Sequence, residues 1–282
     1  MPSDPALFAI SDLHVDHPEN REAVEALRPS SDGDWLIVCG DVADLLDDVE
    51  WALSLLRERW ARVIWAPGNH ELLTHRDDPT GLRGVRRYLS LVRLCRRLGV
   101  DTPEDPYPVW EGAGGPARIA PLFVLYDYSF GRTEAGWTRE EALARAYEAG
   151  VVCVDEFLLH PDPYPSRQSW CQARVRETER RLLGAGSSPP LVLVNHFPLL
   201  VEPTRTLRHQ EFAQWCGTVL TASWHRRFGA VAVVYGHLHI PRTTWHDGVR
   251  FEEVSLGYPR ERRRWPQGPF GLRRILPAAS GA

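Results

Sequence analysis

Five short apolar runs in this 282-residue chain each end in aspartate, asparagine or histidine: LFAISDLH at 7–14, DWLIVCGD at 34–41, RVIWAPGNHE at 62–71, LVLVNHFP at 191–198 and AVAVVYGHLH at 230–239. Apolar runs of this length, bounded by Gly, Pro and Asn, read as buried strands. Side chains two apart on an extended segment point the same way, so Asp12 and His14 can grip one ion together, and His237 and His239 share that spacing. Any one of these endings is ordinarily a capping aspartate or a satisfied core histidine. Their repetition in order changes that balance. In sheets with helices on their faces, ligands bind at the carboxyl edge of the strands, so five such endings can converge on one site.

The segments between the runs supply the helices. Val49, Leu53, Leu56 and Trp60 recur at helical spacing over 47–60, with acids at the start and arginines at the end. Residues 82–98 read as a basic helix, with Arg83, Arg86, Arg87, Arg93, Arg96 and Arg97 forming a solvated face around an apolar stripe. Strand, helix, strand alternation predicts an α/β fold. Between 101 and 190 aromatic and proline residues crowd together, which marks a cap-like insertion. Inside it a strand is expected over 119–126, a helix over 138–149 opened by the capping box Thr138-x-x-Glu141, and a helix over about 166–183. A helical segment over 209–228 follows the fourth run, and a hairpin turning at Asp247-Gly248 follows the fifth. The basic run 260–264 and the Pro, Ala, Ser and Gly tail to 282 are left without structure. One domain over 1–282 is the expected organisation.

Composition narrows the function classes. Thirty-three Lys+Arg against 37 Asp+Glu give a net charge of −4, with no polybasic footprint, so a nucleic acid is not expected as a stable partner. The five cysteines are odd in number and form no CxxC pair, which argues against a disulfide framework and for a reducing, cytoplasmic setting. No stretch reaches membrane-spanning length, and the N-terminus lacks the pattern of a signal peptide.

The blocks Asp12-x-His14, Gly40-Asp41, Gly68-Asn69-His70, Asn195-His196 and Gly236-His237-x-His239 resemble, in the same order, those of the calcineurin-like metallophosphoesterases. The resemblance implies a four-layer αββα sandwich of two mixed β-sheets flanked by helices. It also implies that Asp12, His14 and His239 hold one divalent metal and Asn69, His196 and His237 the second, with Asp41 bridging. His70 matches no ligand position and takes the family's other role, protonating or stabilising the departing oxygen. Imidazole and carboxylate ligands suit manganese or iron, with zinc or cobalt also compatible. A metal pair about 3.5–4 Å apart lowers the pKa of a shared water and stabilises entering and leaving oxygens, which implies a phosphodiesterase acting by attack of metal-bound hydroxide on phosphorus.

A narrower likeness, carried by FAISDLHVDHP, FVLYDYSF, DEFLLHPDPYP and YGHLHIPRTTWHDGVRFEEVSLGYPRE, is to actinobacterial phosphopantetheinyl hydrolases. It implies removal of 4′-phosphopantetheine from the serine of holo acyl carrier protein. Carrier proteins are acidic, so Arg260, Arg262, Arg263 and Arg264 are expected to steer the protein substrate. Tyr126 and Tyr128, with other aromatics of the insertion, are expected to line a slot for the arm, and Asn69 to touch substrate. The alternatives are the same catalyst acting on nucleotides or other small phosphoesters, and a noncatalytic module that keeps the fold for protein recognition. The complete ligand set and the intact His70 speak against the latter. Asp44 and Glu71 are read as supports of the motif loops, Asp16 and His17 as exposed loop residues, and His75, His160, His209, His225 and His246 as structural or solvated.

Overall fold

The computed structural model describes residues 4–76, 78–131 and 136–278. The first three apolar runs form β1 (Leu7–Ile10), β2 (Trp35–Val38) and β3 (Arg62–Trp65), separated by α1 (Pro18–Ala26) and α2 (Leu46–Arg59) and followed by α3 (Gly84–Leu98). The chain then makes β4 (Val109–Trp110), β5 (Ala117–Pro121), α4 (Arg139–Glu148), α5 (Asp155–Leu158) and α6 (Arg167–Ala185). It returns through β6 (Leu191–Val194), α7 (Trp224–Arg227), β7 (Ala230–Tyr235), β8 (Arg242–His246), β9 (Val249–Glu253), α8 (Pro259–Arg264) and β10 (Arg273–Leu276).

Two mixed sheets result, one ordered β10-β1-β2-β3 and the other β4-β5-β6-β7-β9-β8. β1, β2 and β3 run parallel, as do β5, β6, β7 and β9, while β10, β4 and β8 pair antiparallel at the edges. The period of two assigns the faces. Leu7, Ala9 and Ile37 of the first sheet meet Val192, Val194 and Val234 of the second in a dry layer between the sheets. Their neighbours Ile10, Leu36, Val38, Leu193 and Val233 face the helices in the larger core. Each such side chain, buried completely, contributes about 1.5–3 kcal/mol relative to exposure. The observed layers are the α/β sandwich that the sequence implied.

Several local expectations change. The stretch 101–190 is woven into the second sheet through β4 and β5, and carries the capping box at Thr138 as read. The strand within it stops at Pro121, which has no N–H to donate to the ladder. Residues 209–228 form two 3₁₀ turns and the short α7 instead of one helix. Gly217 interrupts them, packed so closely that a Cβ there would sit 2.6 Å from the Phe130 ring. The segment left without structure is structured through 276, since Pro259 starts α8 and β10 pairs with β1. In α3 the arginines are exposed except Arg87, which is fully buried. Its guanidinium donates to the carbonyls of Glu71 and Asp44 (both 2.6 Å) and pairs with Asp78. All five cysteines are free and buried. Among the described residues no helix is long and apolar enough to cross a membrane.

Candidate metal centre

The five strand ends that carry the motifs meet at one edge of the sandwich, three from the first sheet (β1, β2, β3) and two from the second (β6, β7). Of the seven non-glycine residues with positive φ among the described residues, five are Asp12, His14, Asp41, His237 and His239. A left-handed backbone costs most residues stability, and its concentration here marks a site held in shape by its surroundings. The motif glycines let the loops close. A Cβ at Gly68 would lie 2.1 Å from Asp41 Oδ1, and one at Gly236 would lie 2.3 Å from Asp12 Oδ2.

Three overlapping groups of donor atoms result: Asp12, His14 and His239; Asp41, His196 and His237; and His14, Asp41 and His70. Within each group the atoms lie within 4.8 Å of one another. Asp41 Oδ2 is 3.3 Å from His196 Nε2 and 3.9 Å from the Nε2 atoms of both His14 and His70. His239 Nε2 is 3.0 Å from Asp12 Oδ1 and 3.4 Å from His14 Nε2. Asn69 sits beside this cluster, its Nδ2 donating to the buried Asp155 Oδ1 (3.0 Å) and its Oδ1 left without a partner.

The donor set fits a pair of cations. His196 Nε2, His237 Nε2 and Asn69 Oδ1 are buried polar atoms with no hydrogen bond, an arrangement that native structures avoid unless something else occupies the space. His196 and His239 use Nδ1 on the Cys39 carbonyl (2.8 Å) and the Glu261 carboxylate (2.7 Å), which turns each Nε2 toward the cluster. Burial keeps His14 well below its ordinary pKa and His237 down to about 3, the neutral form that a metal ligand needs. Against burial, Asp41 and then Asp12 raise His196 to about 9. The carboxylates thus demand positive charge, which divalent ions supply with the imidazoles left neutral.

His70 differs in its partners. Its Nδ1 meets Asp44 Oδ1 at 2.6 Å, its amide donates to Asp41 Oδ1 (2.9 Å), and Nε2 faces the cluster. Burial lowers its pKa, but the charge of Asp41 and the Asp44 hydrogen bond outweigh this and lift it to about 10. Glu71 supports the loops, accepting from the amides of Asp41 (3.0 Å), Val42 (3.1 Å) and Gly68 (3.1 Å).

A cavity of about 660 Å³ opens from Asp41, Asn69, His70, His237 and His239. One wall is apolar, with Val152, Val154 and Phe212, and Val152 is 56% exposed. Arg208 and Arg260, both exposed, stand in its lining with Tyr258. Of the residues the sequence nominated for substrate, Asn69 and Arg260 line this cavity and the others do not. Tyr126 and Tyr128 are fully buried, the latter tied by its hydroxyl to Glu156 and Arg167, and neither lines the cavity. Arg262 donates to the Gly257 carbonyl (2.9 Å) and Arg263 pairs with Glu19, so only Arg260 of that run reaches the cleft. Arg264 is exposed outside it. His209, read as structural or solvated, lines the cavity, and His75 pairs with Asp44. Asp155, Ser255 and Glu261 were missed altogether. For Glu261 a signal existed, because Tyr-Pro-x-Glu is a helix-start pattern with Pro at the first position and a capping acid behind it.

Comparison with known proteins gives concordant matches. The family model described as calcineurin-like phosphoesterase matches residues 6–241. An [acyl-carrier-protein] phosphodiesterase, PptH, from Mycobacterium tuberculosis is 56% identical over 276 residues, 98% of this chain and 84% of that protein. The crystal structure of phosphopantetheinyl hydrolase (PptH) from Mycobacterium tuberculosis superposes with a TM-score of 0.96 at 55% identity, covering 100% of this chain and 99% of that one. TT1561 of Thermus thermophilus, at 16% identity with a TM-score of 0.50 and 90% of both chains covered, shares the fold.

Proposed function

The chain belongs to the calcineurin-like phosphoesterases, metal-dependent hydrolases, and from that membership we propose that it cleaves the phosphodiester joining 4′-phosphopantetheine to acyl carrier protein. The observation that carries this reading is the likeness to PptH along 98% of the chain. It spans the insertion and the cleft walls, where substrate choice resides, as well as the metal motifs. The cleft itself suits such a substrate, since its apolar wall can take the arm while Arg208 and Arg260 face an anionic carrier. Five buried free thiols support a reducing cytoplasm as its setting.

In this reading Asp12, His14 and His239 would hold one divalent ion and Asn69, His196 and His237 the other, with Asp41 available to both. Manganese or iron is the pairing preferred for these ligands, with zinc or cobalt compatible. When bound, such a pair acidifies water and neutralises the phosphoryl oxygens. The chain's own residues do the rest. Asp44 fixes the His70 ring through Nδ1, so that Nε2 presents a proton toward the cluster. That proton goes to the serine oxygen as it departs, leaving the carrier in its apo form. Asp155 orients the Asn69 amide so that its oxygen points inward.

Incubating the purified protein and Mn²⁺ with holo carrier protein, then weighing the carrier by mass spectrometry, tests the proposal. Loss of the phosphopantetheine mass is expected. An unchanged carrier beside rapid cleavage of a nucleotide diester would replace this substrate with small phosphoesters.

A further inference from the structure

Three of the side chains assigned to one metal position are each held by the same short stretch, residues 255–261. Ser255 Oγ donates to Asp12 Oδ2 (2.6 Å). The Tyr258 ring stacks on His14, centroids 4.4 Å apart and planes 21° apart. Glu261 Oε2 accepts from His239 Nδ1 (2.7 Å) and also from the Tyr258 amide (2.8 Å). The stretch is itself pinned to β1 and its exit, since the Leu256 and Gly257 amides donate to the carbonyls of Ser11 (2.8 Å) and Asp12 (3.1 Å). Gly257 leaves the needed room, because a Cβ there would lie 2.9 Å from Glu261 Oε2.

The other metal position is supported from elsewhere. Asn69 leans on Asp155 in α5, and His196 on the Cys39 carbonyl at the end of β2. The two supports also differ in kind. A carboxylate accepting from Nδ1–H makes an imidazole a stronger donor at Nε2 than a carbonyl does, and it fixes the tautomer. Glu261 lies beyond residue 241, where the family match ends.

We infer that residues 255–261 are a clamp in which Glu261 is a positioning residue for His239, setting occupancy of the Asp12, His14, His239 position independently of the Asn69, His196, His237 position. This rests on the two-metal reading above. Its test is calorimetric titration of the chelator-stripped full chain with Mn²⁺, checked by elemental analysis. The unmodified chain takes up two equivalents. Glu261→Ala weakens one of them about 10–100-fold and leaves the other unchanged. Glu261→Gln, whose amide oxygen still accepts from Nδ1–H without the charge, falls between the two, and it carries the test should the alanine variant not fold. In a His239→Ala background Glu261→Ala has no further effect on the surviving equivalent. Equal weakening of both equivalents, weakening of neither, or a full Glu261 effect in the absence of His239 would overturn the clamp. Uptake of fewer than two equivalents by the unmodified chain would overturn the metal pair and the clamp together.

Discussion

Asp41 faces His196 at 3.3 Å and His14 and His70 at 3.9 Å, so its carboxylate lies within reach of side chains proposed for both halves of the site. Asp41→Asn keeps the shape and removes the charge. Metal analysis of that variant should show both ions lost or sharply weakened, whereas retention of two full equivalents would contradict a bridging role. His70 is predicted to behave oppositely. On the role proposed for it, proton transfer with Nδ1 held by Asp44, His70→Ala should keep both metals and slow carrier hydrolysis by roughly 10²–10⁴-fold. The defect should shrink for a diester whose leaving group needs no proton, such as a nitrophenyl ester, and a comparison of kcat on the two substrates checks this. Most of these residues were legible in the chain because each motif is local: a strand, a turn and a ligand within a few positions. What supports them was not, because Asp155 meets Asn69 across 86 residues and Ser255 meets Asp12 across 243. No local spacing announces such a pairing.

Among the elements, α3 shows how a charged helix can serve the site from a distance. Its outer arginines are solvated as composition suggests, but Arg87 turns inward and ties the loop after β3 to the loop after β2 through the carbonyls of Glu71 and Asp44. Periodicity could not separate it from its neighbours, because an arginine inside a core is stable only where acceptors from other segments surround it. Arg87→Ala strands the buried Asp78 and leaves the Glu71 and Asp44 carbonyls without this donor, and a loss of about 3–5 kcal/mol is expected in urea unfolding of the metal-free protein. The pH dependence has a definite sign. Burial raises the Asp78 carboxyl, but hydrogen bonds from Thr80 and Arg87 reverse this and hold it below its ordinary 3.8. A depressed carboxyl contributes stability above its unfolded pKa and loses it as pH falls through the folded one. The gap between the parent protein and Arg87→Ala should therefore narrow below about pH 4. The fate of α8 and β10 has a simpler cause: the six residues of α8 are too few to show a period, and β10 lacks the continuous apolar run that betrays β1, β2 and β6, forming instead by pairing with β1.

Across the molecule, the ligands are divided between two sheets, so the site exists only where the sandwich closes. That division supports reading 1–282 as one unit, and it explains why the order of motifs was so informative about the fold. The cleft was less legible, since its walls come from loops around Val152 and Arg208 and from Arg260 at the start of α8, which share no motif. Exchanging Arg208 and Arg260 together for glutamate should raise the KM for carrier protein about tenfold or more and flatten its salt dependence, with kcat on a small diester unchanged. Equal loss on both substrates would assign the arginines to the chemistry instead of to docking.

β1 bears Asp12 at its end and is flanked in its sheet by β2 on one side and β10 on the other. The strand made early thus waits for one made near the end of the chain, and Asp12 waits with it for His239 and for Ser255. A chain cut before β10 is expected to leave β1 with an open edge, and so to take up Mn²⁺ at the position proposed for Asp12 less well than the full chain does.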